Sequence, residues 1–347
     1  MGILVSLLAV VALLLAALLG AGVSGGRWLF GVVVPYAAAA LFVGGVVAKV
    51  LGWARSPVPF RITTTCGQQK SLPWIKQSKI ENPSTKLGVV ARMALEVLAF
   101  RSLFRNTDAT LRDGRLTYAS NKWLWAAGLA FHYSFLVILL RHLRFFMEPV
   151  PGAVLALSTI DGFFQVGLPV VFATTLVFLA AVTLLFLRRV ASPALRYISL
   201  PADWFPLLLL LAIGLSGAWL RHVSKIDVPA VKTMVMGLLH LSPQLPEVLG
   251  ASFYAHLFLV STLLAYFPFS KLMHMAGVFF SPTRNLTGNS REVRHVNPWN
   301  HPVPVHTYEE YEDEFRERMR DAGLPVEIDR RAEGATAGGP LGGGKEA

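Results

Sequence analysis

Four histidines lie at matched intervals inside two apolar stretches of the chain. His132 and His142 are ten residues apart in one stretch, and His256 and His274 are eighteen residues apart in the other. An ionisable side chain within a membrane helix is costly, because hydrocarbon offers its polar nitrogens no partner. Neutral imidazoles are good ligands for iron. The pattern therefore predicts that these histidines are axial ligands of two b-type haems.

The relative direction of the two stretches predicts how the histidines pair. On antiparallel helices, His132 lies level with His274, and His142 lies level with His256. The intervals correspond to about 15 Å and about 27 Å of helix, so the helices must tilt. A continuous helix places His256 and His274 on one face, because eighteen residues make about five turns. Iron with two imidazole ligands has no open site, which indicates electron transfer. The alternative is that these histidines only form hydrogen bonds with neighbouring helices.

Composition identifies an integral membrane protein. The chain has 347 residues, of which 54% are hydrophobic and 15% are charged. This apolar content exceeds what one soluble core needs. The net charge of +11 comes from Lys and Arg in the segments between apolar runs, as the positive-inside rule describes, and this distribution argues against a nucleic-acid-binding protein.

The single cysteine limits which cofactors this chain can hold. Cys66 alone excludes an internal disulfide, a cysteine-ligated iron–sulfur cluster and a covalently attached c-type haem within the chain. Cys66 itself is either a contact at a partner interface or a plain buried thiol.

Hydropathy predicts an all-α, polytopic bundle of about six transmembrane helices. The first segment lacks a Lys or Arg before its apolar core, which favours an uncleaved helix over a signal peptide. The basic loops fall on one side, so both termini are expected in the cytoplasm. The predicted spans are about 2–23, 28–53, 122–147, 163–187, 204–220 and 249–278.

The same segments divide the chain into four parts. These parts are two N-terminal helices (1–53), a basic cytoplasmic loop (54–121), a four-helix dihaem core (122–280) and a cytoplasmic tail (281–347). Residues 87–104 have apolar residues at helical spacing, which fits either a helix on the membrane surface or one packed against a partner subunit. The tail contains an acidic helix near Glu309–Arg320 and a Gly- and Ala-rich end that we expect to be disordered.

Three arginines lie at the predicted outer ends of the core helices. Arg141 and Arg144 flank His142, and Arg221 ends the fifth span. Arginine at this depth either binds a carboxylate, such as a haem propionate, or extends to the membrane interface. Both interpretations fit the sequence.

The histidine spacings resemble those of the nitrate reductase gamma subunit family, whose members are dihaem cytochromes b that oxidise quinol. The basic loop has a narrower likeness, to the DsrM family of membrane cytochromes from DsrMKJOP complexes. It is carried by residues 63–107, TTTCGQQKSLPWIKQSKIENPSTKLGVVARMALEVLAFRSLFRNT. The gamma subunit has five spans, so the additional N-terminal helix and the long loop depart from its pattern.

The resemblance implies a function and a set of partners. It implies menaquinol oxidation, electron passage through two haems, and delivery to a DsrK-like cytoplasmic iron–sulfur subunit that acts on DsrC, beside the DsrJ, DsrO and DsrP subunits. It places the chain in the cytoplasmic membrane of a bacterium or archaeon. The docking surface would comprise residues 54–121 and 188–203 and the tail.

The quinol site implied by the resemblance lies near the outer haem. The candidate contacts there are Arg141, Arg144, Asp161, Arg221, Lys225 and Asp227. The lysine that the gamma subunit uses near this haem has no clear equivalent in residues 148–162. The rival function is a non-redox anchor or a transporter whose histidines line a proton path, although no inverted repeat supports transport.

Overall fold

The computed structural model describes residues 2–56, 70, 74, 76–165, 169–289, 293 and 305–327. The chain forms two compact units, Met1–Asn297 and Pro298–Ala347. The helices of the first unit are α1 (Gly2–Gly20), α2 (Gly26–Ala54), α3 (Lys86–Ala99), α4 (Arg101–Phe104), α5 (Lys122–His142), α6 (Gly152–Asp161), α7 (Ala173–Ala191), α8 (Pro193–Ile198), α9 (Pro201–His222), α10 (Val228–Leu239), α11 (Ala251–Tyr266) and α12 (His274–Gly277). The second unit contains α13 (Tyr308–Asp321).

Two short hairpins accompany the helices. Strand β1 (Thr107–Arg112) pairs antiparallel with β2 (Arg115–Ser120), and β3 (Gly162–Phe164) pairs with β4 (Val171–Phe172). Among the described residues, six helices are long and apolar enough to cross a membrane: α1, α2, α5, α7, α9 and α11. The predicted helical membrane bundle is therefore confirmed.

The spanning helices pack in an open ring. Helix α5 packs against α7, α7 against α9, and α9 against α11, while α1 lies against both α9 and α11 and α2 covers the other side of α11. No comparable seam joins α5 to α11, although every residue of both helices is described. The two helices that carry His132, His142 and His256 thus face each other without close backbone packing.

Buried apolar side chains fill the seams between these helices. Leu209 and Leu259 are fully buried where α1, α9 and α11 meet. Phe178 and Val182 of α7 are buried against Leu210 of α9, with aromatic residues of α5 packed on them. Helices α1 and α2 expose many Leu and Val side chains, which is the expected surface for contact with lipid.

The sixth span differs from the prediction of one continuous helix over 249–278. Helix α11 ends at Tyr266, and 3₁₀ turns follow at Phe267–Phe269 and Lys271–Met273. Pro268 cannot donate a backbone hydrogen bond, and the next residue but one, Ser270, is extended. The prediction that His256 and His274 share one helix face is therefore wrong, and the estimate of about 27 Å between them along one helix does not apply.

The predicted helix over 87–104 is present but divided. It breaks at Phe100, which has a left-handed backbone (φ 50°, ψ 47°) between α3 and α4. Helix α3 turns its charged residues Arg92 and Glu96 toward the protein and leaves Leu87 and Val90 exposed. Both placements considered for this helix, lipid surface or partner subunit, would cover that apolar side.

Other boundaries also differ from the predicted ones. The fourth span begins at Ala173 rather than near 163, because α6 and the β3–β4 hairpin occupy the preceding residues. The β1–β2 hairpin was not predicted within the basic loop, and α10 was not predicted between the fifth and sixth spans. The acidic helix of the tail is confirmed as α13. The expected disorder of 332–347 and the position of Cys66 lie outside the described residues.

Candidate haem-binding site

In all four histidines, Nδ1 of the imidazole ring forms a hydrogen bond with the protein. The Nδ1 atoms of His132, His142 and His274 lie 2.7–2.8 Å from the backbone oxygens of Gly128, Ile138 and Lys271, respectively. A carbonyl can only accept, so each Nδ1 carries the proton and each Nε2 has a free lone pair. Histidines that bind metals are typically oriented by such a hydrogen bond from the other ring nitrogen.

The fourth histidine is held by side chains of α9. Nδ1 of His256 lies 2.8 Å from Oγ of Ser216, whose own proton points to the Ile213 carbonyl at 3.0 Å. Ser216 therefore accepts from His256 and leaves Nε2 free as well. The next residue, Gly217, lies so close that a Cβ there would be 3.3 Å from Cε1 of His256. Sequence reasoning missed both residues, although small residues within a Leu-rich helix are a signal of close approach.

The structure brings His132 and His274 together. Their ring centroids are 5.9 Å apart and their planes are nearly perpendicular, at 81°. Two imidazoles on opposite sides of one metal ion, each with its nitrogen about 2 Å away, have centroids about 6 Å apart. The break after α11 makes this approach possible, because it returns His274 toward α5. The pair therefore fits two axial ligands of one iron.

The second pair, His142 and His256, lies farther along the same gap. His142 belongs to α5 and His256 to α11, the two helices that do not pack directly together. In the described part of the chain, no group of three or more His, Cys, Asp or Glu side chains could hold a metal ion by itself.

The predicted arginines have different environments. Arg141 is buried and its Nε lies 3.1 Å from Oδ2 of Asp161, while its guanidinium covers the Phe172 ring at 3.6 Å. Arg221 covers the same ring at 4.4 Å and donates to the Val170 carbonyl. The Asp161 carboxylate also accepts two hydrogen bonds from Thr174. Arg141 is therefore compensated within the protein.

Arg144 and Arg221 line a cavity of about 540 Å³ between α6, the β3–β4 hairpin and the end of α9. Thr159 and Gln165 contribute polar groups to its wall. Among the described residues, the Arg144 side chain forms no ion pair and no hydrogen bond. The other two quinone-site candidates lie elsewhere: Asp227 caps α10 by accepting from Ala230 N, and Lys225 precedes it in a left-handed turn.

Residues 89–295 match the model of the nitrate reductase gamma subunit family. The chain belongs to this family. The match includes all four histidines and both helices that carry the first three, whereas α1 and α2 precede it. The sequence predicted one additional N-terminal helix and the long loop as departures from the gamma subunit pattern, and the match begins within that loop, at residue 89.

Two curated relatives match most of this chain. The Hdr-like menaquinol oxidoreductase cytochrome b-like subunit of Archaeoglobus fulgidus is 47% identical over 278 residues, which are 78% of this chain and 83% of that protein. Its counterpart in Archaeoglobus profundus is 40% identical over 280 residues, with the same coverage. Both relatives carry an Hdr-like name, so the narrower resemblance to DsrM stays a prediction.

Proposed function

We propose that this chain is a dihaem cytochrome b that oxidises menaquinol and passes the electrons to an Hdr-like, DsrK-related iron–sulfur subunit in the cytoplasm. The names of its two relatives, a menaquinol oxidoreductase subunit in each case, support the substrate and the partner class. In the finer version, the complex is a DsrMKJOP assembly of dissimilatory sulfur metabolism that serves DsrC, and both termini of the chain face the cytoplasm.

The observation that carries the proposal is the common state of the four imidazoles. Each donates Nδ1–H to the protein and keeps Nε2 free, and two of them, His132 and His274, approach at the spacing of paired axial ligands. We assign His132 and His274 to one b-type haem and His142 and His256 to the other. Such iron exchanges single electrons and offers no open coordination position.

The side chains around the gap supply orientation and charge. Carbonyls of α5 fix His132 and His142, and Ser216 fixes His256, so each ring keeps one tautomer. The cavity lined by Arg144 and Arg221 is where a quinol headgroup or haem propionates would bind, because two cations face it and, among the described lining residues, no carboxylate does. Asp161 is engaged with Arg141 and does not line this cavity.

The test is a haem count on purified single variants. We expect His132→Ala and His274→Ala to lose the same haem, and His142→Ala and His256→Ala to lose the other, as measured by pyridine haemochrome and by reduced-minus-oxidised spectra. His240→Ala is the matched control, because this exposed histidine at the end of α10 contributes to neither pair. The control should keep both haems.

Specific outcomes would overturn the assignment. A colourless wild-type chain would eliminate the cytochrome and leave the rival non-redox anchor or proton-path protein. Different spectral losses within one pair would overturn the pairing. Reduction of the wild-type haems by a menaquinol analogue tests the substrate, and no reduction by the analogue would remove the quinol assignment while leaving the haems intact.

A further inference from the structure

The chain bends sharply at Phe100, between α3 and α4. Phe100 has φ 50° and ψ 47°, a left-handed conformation that a bulky side chain rarely adopts. Such conformations persist when the surrounding structure enforces them, and they cluster at functional sites. Residues Leu98–Ser102 form an elbow around this bend, and they lie outside the membrane-spanning helices.

The elbow places the Phe100 ring against a histidine of the candidate site. The centroids of Phe100 and His132 are 4.9 Å apart and the ring planes are perpendicular, at 89°. On its own helix, His132 contacts the neighbouring Phe131 at 4.8 Å and donates Nδ1–H to Gly128. Besides the paired His274, Phe100 therefore supplies an aromatic contact to His132 from outside α5. The hydrogen bond to Gly128 fixes Nδ1 of His132, so the Phe100 ring limits rotation of the imidazole about that bond.

Two hydrogen bonds from α5 hold the elbow in place. Nε1 of Trp125 donates to the Ala99 carbonyl at 2.8 Å, and the hydroxyl of Tyr133 donates to the Leu98 carbonyl at 2.8 Å. These carbonyls belong to the last turn of α3, where intrahelical partners are missing. Side chains one residue after His132 and seven residues before it thus fasten the backbone that carries Phe100.

A cluster of arginines around two buried carboxylates holds the elbow from the other side. Glu96 accepts from the Ser102 backbone at 3.2 Å, so it spans the elbow. Glu81, with a side chain only 7% exposed, pairs with Arg101 at 2.5 Å and with Arg105 at 2.6 Å. Both acids also pair with Arg92, which is buried. Ion pairs therefore anchor the residues on both sides of Phe100. Before it, Glu96 pairs with the buried Arg92, and after it, Arg101 and Arg105, which are partly exposed, pair with the buried Glu81.

We propose that Phe100 is a positioning residue that sets the plane of the His132 imidazole, and that the Glu81–Glu96 cluster holds it in this role. The inference rests on the proposed function, since it concerns the haem assigned to His132 and His274. The contact links that haem to a segment outside the spanning helices. A partner that shifts the elbow would therefore change the orientation of the His132 imidazole through the Phe100 ring.

The test uses variants that keep the backbone and remove the ring. Phe100→Gly suits the left-handed conformation, and Phe100→Asn tolerates it as well. Phe104→Leu is the matched control, because Phe104 lies in the next turn and contacts Trp125 and Lys122. Phe100→Tyr keeps the aromatic ring and should therefore keep the wild-type spectrum. The readout is the low-spin electron paramagnetic resonance spectrum of the oxidised, purified chain, in which the orientation of axial imidazoles sets the g-values.

We expect the signal that disappears in His274→Ala to shift its largest g-value in Phe100→Gly and Phe100→Asn. The same signal should keep its wild-type value in Phe104→Leu and Phe100→Tyr, and the second haem signal should be unchanged throughout. Two unshifted signals in Phe100→Gly would overturn the proposal, as would failure of both ring-less variants to fold, which would show a purely structural role. A wild-type chain without haem would instead overturn the proposed function.

Discussion

The hydroxyl of Ser216 provides the sharpest point at which to perturb the candidate site. Of the four Nδ1 atoms, three bind backbone carbonyls, which no side-chain substitution removes. Only His256 is held by a side chain, with 2.8 Å between its Nδ1 and Oγ of Ser216. Ser216→Ala removes this acceptor, leaves a buried N–H without a partner and frees the ring to rotate.

The expected cost depends on the environment of this hydrogen bond. A hydrogen bond between membrane helices contributes about 1–2 kcal/mol in peptide systems, which corresponds to about a 5–30-fold change in an equilibrium. Loss of a residue that orients a metal ligand typically lowers metal affinity about 10–100-fold. We therefore expect the haem assigned to His142 and His256 to be bound about tenfold more weakly, since both ranges include this value.

The assay is transfer of haem from the purified chain to an excess of a haem-scavenging apoprotein, followed by absorbance. In Ser216→Ala, half of the haem should leave faster and the other half should leave as in the wild type. Ser134→Ala is the matched control, because Ser134 is a buried serine of α5 that binds only the carbonyls of Ala130 and Phe131. Equal retention of both haems in Ser216→Ala, or the same loss in the control, would refute the reasoning.

Three further predictions concern the surrounding residues. Gly217→Ala should displace the His256 ring, because the added Cβ would lie 3.3 Å from Cε1, and only the haem that Ser216→Ala weakens should change its spectrum; an unchanged spectrum contradicts this. Replacing both Arg144 and Arg221 by Gln should raise the KM for a menaquinol analogue if these arginines bind the quinol. The same replacement should lower the reduction potential of the nearer haem if they bind its propionates. An unchanged KM together with an unchanged potential would exclude both roles. Burial raises the pKa of Glu81, but hydrogen bonds and charges from two arginines outweigh it and lower the pKa below 4.5. The contribution of Glu81 to stability should therefore be complete above pH 4.5 and decline as pH falls further. The melting temperatures of Glu81→Gln and the wild type should accordingly differ most near neutral pH and converge in acid. A difference that stays constant with pH would contradict the pairing.

Hydropathy was sufficient to predict the membrane bundle, because an uncharged run long enough to cross hydrocarbon has few alternatives to a helix. Pro268 followed by Ser270 is a sequence signal for the break in the sixth span. A prediction from the length of an apolar run is insensitive to this signal. The β1–β2 hairpin also has a signal, Asp113–Gly114 between alternating residues, which is typical of a tight turn. Both features are local, and each interrupts the helical period from which the spans were predicted.

Sequence reasoning singled out the candidate ligands but not the residues that orient them. Four ionisable residues in apolar segments stand out by cost alone. By contrast, nothing local distinguishes Phe100 from other phenylalanines, because its left-handed backbone is imposed by contacts with α5 and by distant charges. Ser216 depends in the same way on a helix forty residues away, and such pairings appear only when the packing of helices is known.

The open side of the ring bears on what joins α5 to α11. Buried apolar side chains hold α1, α7, α9 and α11 together, whereas α5 and α11 share no such seam. If the proposed haems bind between α5 and α11, they would also connect two helices that do not pack directly together.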